Sequence, residues 1–195
     1  MKYIKHLSLV ACLIMISLAS CSDAFDAGIA GPVAGDALEA AGTAYEASVL
    51  EAEQQVMALL LSLQALSFQG SLQGITGSAT WSGTIEPTTN LELNYVITFN
   101  DYSIVEDGVQ ITGDLAVAVS ESAGDCSGAW NSNNILIFDP LDKLDFALST
   151  DGLGLILSGS LCDIMTLSGQ VDIRGDAFGD NCLVSGTTAN PNVDC

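Results

Sequence analysis

Residues 91–99 read Leu91-Glu92-Leu93-Asn94-Tyr95-Val96-Ile97-Thr98-Phe99. Large apolar side chains stand at every second position, with Glu92, Asn94 and Thr98 between them. A strand sends successive side chains to opposite faces, so this spacing predicts one face on a core and one in water. Such clean alternation belongs to antiparallel sheets, which can leave one face wet.

The same period continues to either side. Upstream, Trp81, Gly83 and Ile85 share a face. Downstream, Val109, Ile111, Leu115, Val117 and Val119 alternate with Gln110, Thr112 and Asp114. The pattern returns in Leu144-Phe146-Leu148, Leu153-Leu155-Leu157-Leu161 and Leu167-Val171-Ile173. Turn residues separate these runs: Glu106-Asp107-Gly108, Asp139-Pro140, Thr150-Asp151-Gly152 and Cys162-Asp163. The spacing predicts a meander of about eight antiparallel strands over 75–188, each paired with the next in sequence.

A short motif recurs inside the strands: an apolar residue, Ser or Thr, Gly, any residue, an apolar residue. It appears at Trp81–Ile85, Ile111–Leu115, Leu157–Leu161 and Leu167–Val171. Each glycine falls on the apolar face, where a strand gains more from a packed side chain. Glycine there marks a bend or a close approach, and several together let a sheet curl strongly. Whether the sheet closes into a barrel stays open at this level.

The object to curl around lies upstream. From Asp36 to Ser67, apolar or small residues recur at Leu38, Ala41, Tyr45, Val49, Ala52, Val56, Leu59, Leu63 and Leu66. Steps of three and four mark one face of a helix. Asp36 is placed as its N-cap, with Glu39 three residues on as in a capping box. The 36–67 helix is expected to lie on the chain's own sheet, giving a mainly β (α+β) domain over 36–195. Residues 21–35, with Gly28, Gly31, Pro32 and Gly35, read as a tether.

The first twenty residues are of another kind. Lys2, Lys5 and His6 precede an apolar run from Leu7 to Leu18. That run is about 12 residues, against the ~20 needed to span a bilayer. Leu18-Ala19-Ser20-Cys21 then resembles the lipobox of bacterial lipoproteins. The resemblance implies a signal over residues 1–20, and Cys21 as the acylated N-terminus of the mature chain. Two or more acyl chains anchor stably at ~0.8 kcal/mol per buried CH₂. Ser22, in place of the Asp that retains such proteins at the inner membrane in enteric bacteria, favours the outer membrane.

Composition narrows the rest. The formal charge is −20, with 24 acidic residues. Removing the signal takes Lys2 and Lys5, leaving Lys143 and Arg174 as the only basic residues. Nucleic acid is therefore excluded as a partner, since phosphate contacts need clustered Lys and Arg. The only histidine is His6, so the mature chain can build no Ser-His-Asp or Cys-His centre and no His-bound zinc. No enzymatic activity and no cofactor are expected.

Cys12 leaves with the signal and Cys21 is taken by acylation. Cys126, Cys162, Cys182 and Cys195 remain, an even number in an exported chain, which reads as two disulfides. Three connectivities are possible. Cys126–Cys162 with Cys182–Cys195 is favoured, because the second bridge would clip a Gly/Asn/Pro-rich tail. Asp139, Asp142 and Asp145 around a Pro turn are weak Ca²⁺ candidates, as are Asp172, Asp176 and Asp180. Neither set matches an EF-hand. Arg174-Gly175-Asp176 reads as a chance tripeptide.

Phe99-Asn100-Asp101-Tyr102 and Glu106-Asp107-Gly108, within the run Asn94–Val119, resemble a hairpin of uncharacterised envelope lipoproteins of deltaproteobacteria and myxobacteria. That resemblance implies no assigned activity. The expected role is a membrane-anchored envelope module, structural or interacting with an unknown envelope protein. The alternative is carriage of a lipid or other apolar ligand between helix and sheet.

Overall fold

The computed structural model describes residues 28–56, 66–87, 91–150, 154–160, 162–175 and 179–195. Residues 28–56 are helical (α1). Eleven strands follow: β1 (Leu66–Gln73), β2 (Thr76–Pro87), β3 (Leu91–Ser103), β4 (Gln110–Ser122), β5 (Asp125–Asn131), β6 (Ile135–Asp139), β7 (Leu144–Ser149), β8 (Leu155–Gly159), β9 (Thr166–Arg174), β10 (Gly179–Thr187) and β11 (Asn190–Asp194). All strand pairs are antiparallel. The mainly β architecture with one N-terminal helix is thus the one that the alternation predicts.

The connectivity is not a simple meander. β1 to β5 pair in sequence order, but β5 then pairs β8, β6 pairs β4, and β7 pairs β9. Two strands are shared along their length. In β4, Gln110–Gly113 pair with β6 while Ala116–Ser122 pair with β5. In β9, Thr166–Gly169 pair with β8 while Asp172–Arg174 pair with β7. The sheet therefore forks twice, and its pairings run β4–β5–β8–β9–β7–β6 and back to β4.

Each fork stands at a glycine of the recurrent motif. Gly113 has φ +133° and Gly169 has φ +150°, a region that side chains avoid. A Cβ on Gly113 would lie 2.7 Å from the Asn134 carbonyl oxygen, and one on Gly169 would lie 2.9 Å from that of Gly154. Two of the four motif glycines, Gly113 and Gly169, thus mark where a strand changes partner.

The inner face is apolar. Leu93, Tyr95, Ile97 and Phe99 of β3 are buried beside Leu115, Val117 and Val119 of β4. Trp130, Ile137, Leu155, Leu157, Leu167, Val171 and Ile173 continue the layer. The outer face of β1 to β3 is largely polar and exposed, carrying Ser67, Gln69, Ser71, Thr80, Ser82, Thr84, Asn94 and Thr98, with Val96 among them.

α1 is buried on more than one stripe. Ala30, Val33, Ala34, Ala37, Leu38, Ala40, Ala41, Ala44, Tyr45, Val49 and Ala52 are all in the core. Small side chains let the curled sheet approach the helix backbone. The limit is Gly42, where a Cβ would fall 1.8 Å from the Thr188 carbonyl oxygen in the β10–β11 turn.

Three expectations need correction. The helix does not begin at Asp36: residues 28–35, read as tether, are helical, and Ala30, Val33 and Ala34 are buried. Asp36 is consequently a mid-helix residue rather than a cap. Of the glycines in that stretch only Gly31 is closely approached, by the Val193 carbonyl oxygen and the Cys195 sulfur; Gly28 and Gly35 face open space. At the other end, Leu66 and Ser67 belong to β1, not to the helix. Most of the apolar stretch read as its second half (57–65) lies outside the described residues. Finally, the described residues form eleven strands and not about eight; β1, β5, β6 and β11 carry short or Gly- and Ser-interrupted patterns that alternation alone did not separate.

Candidate functional site

The polar groups brought together inside the fold come from α1, β3 and the β8–β9 connection. The Tyr45 hydroxyl donates to the Cys162 carbonyl at 2.6 Å, with the Met165 sulfur 2.9 Å away. One helical turn on, Ser48 Oγ bonds both the Tyr45 carbonyl at 2.6 Å and the Tyr95 hydroxyl at 2.8 Å. The Tyr45 ring meets Trp130 edge to face at 5.3 Å. Met165 is tied onward: its carbonyl accepts from Thr188 N–H at 2.9 Å, and its N–H donates to Thr188 Oγ1 at 3.2 Å.

Burial pushes both tyrosine hydroxyls well above the ordinary phenol range; for Tyr45, nearby Tyr95, Asp163 and Glu46 push the same way. For Tyr95 the Ser48 bond opposes the shift. The hydroxyls therefore stay protonated at all ordinary pH. They act as hydrogen-bonding struts that hold α1 against the sheet. Sequence reading placed Tyr45 and Tyr95 in the core but did not join them. The available signal was Tyr45 and Ser48, one turn apart in a run otherwise rich in alanine.

Cys126–Cys162 and Cys182–Cys195 are the two disulfides, the favoured pairing of the three. The first joins the start of β5 to the β8–β9 connection, so the Tyr45 bond lands on a stapled segment. The second joins β10 to the residue after β11. Cys21 lies outside the described residues.

The Ca²⁺ candidates do not come together. In the β6–β7 hairpin, Asp139 pairs Leu144 and Phe138 pairs Asp145. The strand period therefore puts Asp139 on the inner face and Asp145 on the outer one, as their buried and exposed states agree. Asp139 Oδ1 accepts from Leu141 N–H at 2.9 Å, an Asx turn that uses its oxygen locally. Asp172 is ion-paired with Arg174; Asp176 and the Asp180 side chain lie outside the described residues. Among the described residues no group of three acidic, Cys or His side chains could hold a metal ion.

A recess of about 220 Å³ lies between α1 and the β3–β4 turn, lined by Asp36, Glu39, Val105, Glu106, Asp107 and Leu141 among others. Burial, then Asp139, raises the Asp36 carboxyl above the usual carboxylate range. Further along α1, burial and then Asp163 raise Glu46, whose Oε1 has no hydrogen-bond partner among the described residues. These are acids crowded by acids. They favour a cation near them and repel an anion.

Among the described residues no helix is long and apolar enough to cross a membrane. Comparison with protein-family models, curated proteins and solved structures finds no match for this chain.

Proposed function

We propose that this protein is a lipid-anchored envelope module that works by surface interaction and not by chemistry or ligand transport. Attachment is assigned to Cys21 at the end of Leu18-Ala19-Ser20-Cys21, and location to the outer membrane. The observation that supports the interaction reading is how the described core is packed. Tyr45, Trp130, Phe68, Phe99 and Tyr102 are all fully buried. A carrier needs a lined space in the interior, typically of hundreds of cubic ångströms, and large aromatic side chains of the chain itself fill the described core. The surface is left to act, and it is strongly acidic with one near-neutral sheet face.

Two measurements test this reading together. Cys21→Ser should move the protein from the membrane fraction to the soluble fraction. Protein extracted from native membranes should show no co-purified apolar molecule by native mass spectrometry. A Cys21→Ser variant that stays membrane-bound would remove the anchor, and a stoichiometric bound lipid would restore the carrier reading.

A further inference from the structure

The sheet has two ends, and they are treated differently. At one end, β11 is short, contains Pro191 and ends in Asp194. It is also covered: a Cβ on Gly31 of α1 would stand 3.2 Å from the Val193 carbonyl oxygen and 3.7 Å from the Cys195 sulfur. Short length, proline, charge and a covering helix are the devices that keep a sheet edge from pairing with another chain.

At the other end, β1 shows none of them among the described residues. Leu66-Ser67-Phe68-Gln69-Gly70-Ser71-Leu72-Gln73 is eight residues long, without charge or proline. Among the described residues it pairs only β2. The absence of charge extends well beyond the strand. From Gln54 to Ile85 no residue is charged, in a chain with 24 acids. Next inward, β2 turns Ser78, Thr80, Ser82 and Thr84 to the same outer face.

This distribution says which partner fits. Two copies of a chain with net charge −20 repel wherever acids face acids. The β1 edge is where that repulsion is weakest. The strand is also self-complementary about a two-fold axis through Gln69. In that register Leu66 meets the partner's Leu72, both half-buried in one copy, and Phe68 meets the partner's Gly70. The second pairing repeats what β1 already makes with β2, where Phe68 stands opposite Gly83. On the outer face Ser67 meets the partner's Ser71, and the two Gln69 amides face one another, able to donate and accept in turn.

We propose that β1 is a homodimer edge: a second copy adds its own β1 antiparallel across a two-fold axis at Gln69, extending one sheet through both molecules. Such isologous pairing is closed, so it stops at two. Backbone hydrogen bonds supply much of the attraction, as in other strand-addition complexes.

The test uses the mature protein extracted from membranes in mild detergent. Gln69→Cys places two thiols on the axis, so envelope samples should yield a covalent dimer on non-reducing gels. Thr98→Cys, exposed two strands away, should not. Gln69→Glu and Gln69→Lys each set like charges against themselves and should weaken the dimer several-fold in sedimentation velocity. Mixed together, they should form a heterodimer at least as tight as the wild-type dimer. That rescue separates a lost interface from a lost fold. A Gln69→Cys variant that forms no crosslink, a wild type that sediments as a monomer, or a mixture that fails to associate would overturn the proposal. A crosslink to a different protein would overturn it too, assigning the edge to a foreign strand. Wild type run beside them should give no covalent dimer, which separates the Gln69→Cys crosslink from one through an unacylated Cys21.

Discussion

The Phe68 and Tyr95 rings meet edge to face with centroids 5.2 Å apart and planes at 69°, and the residue between them is Gly83. Gly83 is the cross-strand partner of Phe68 on one side and Tyr95 on the other. Its missing side chain is what lets the two rings touch across β2. The pair gains about 0.5–1.5 kcal/mol beyond its buried area, and covers a glycine that would otherwise weaken the strand.

Gly83→Ala should therefore be costly although it adds one methyl group. Its Cβ would fall 2.2 Å from Tyr95 Cβ and 2.3 Å from the Asn94 carbonyl oxygen. Overpacking of this kind costs about 1–3 kcal/mol. Urea unfolding should show a lower midpoint at unchanged slope. A variant as stable as wild type would mean that the rings do not close over this position.

The two fork glycines make a second prediction. Gly113→Ala and Gly169→Ala each force an alanine to φ +133° or +150°. Such backbone strain costs about 1–3 kcal/mol per site. Alanine at Gly124, also at positive φ (+90°) but with nothing within 4 Å of its Cβ position, controls for conformation without crowding. The fork variants should lose more stability than Gly124→Ala; equal losses would leave backbone strain as the whole effect.

The disulfides should differ in what they contribute. Cys126–Cys162 spans 36 residues and Cys182–Cys195 spans 13. In the chain-entropy account these loops correspond to about 4 and about 3 kcal/mol. The paired Ser variant of the first bridge should therefore melt lower than that of the second. A reversed order would show that the β10–β11 bridge acts mainly on the native state, holding the strand that α1 packs upon.

Glu46 gives a pH test with a definite sign. Burial, then Asp163, raises its carboxyl in the folded chain. The folded state binds this proton more readily than the unfolded one. That contribution to stability is thus fully present in acid and is lost as pH rises through the raised carboxylate range. Glu46→Gln removes the titration. The variant should gain on wild type in denaturant midpoint as pH is raised from acid to neutral, and a difference that stays flat with pH would refute the assignment.

Much of this architecture is legible in the chain, for physical reasons. Period two in residues 91–99 and 109–119 reports burial on one face, and those residues are buried as the period requires. The disulfide pairing followed from a tail with little else to hold it. The helix start was misread because Gly28, Gly31, Pro32 and Gly35 carry low helix propensity, while the packing that overrides propensity comes from β11, over 150 residues away. The forks were invisible because register is a relation between distant segments; Gly113 announces a peculiarity, not its partner. Asp139 and Asp145 look like joint ligands in a linear reading, and only the hairpin register shows them on opposite faces. The Tyr45–Ser48–Tyr95 contacts were missed for the same reason, since Tyr95 reads as one more core residue until α1 is laid across it.

The central claim is that the folded body is held at the membrane through Cys21. Intact mass spectrometry of the protein extracted from its native envelope tests it most directly. The account predicts a chain beginning at Cys21, heavier than its amino-acid mass by a diacylglyceryl group and an N-linked acyl chain, with both disulfides formed. A chain that retains residues 1–20, or that begins near Cys21 with no added lipid mass, would contradict it.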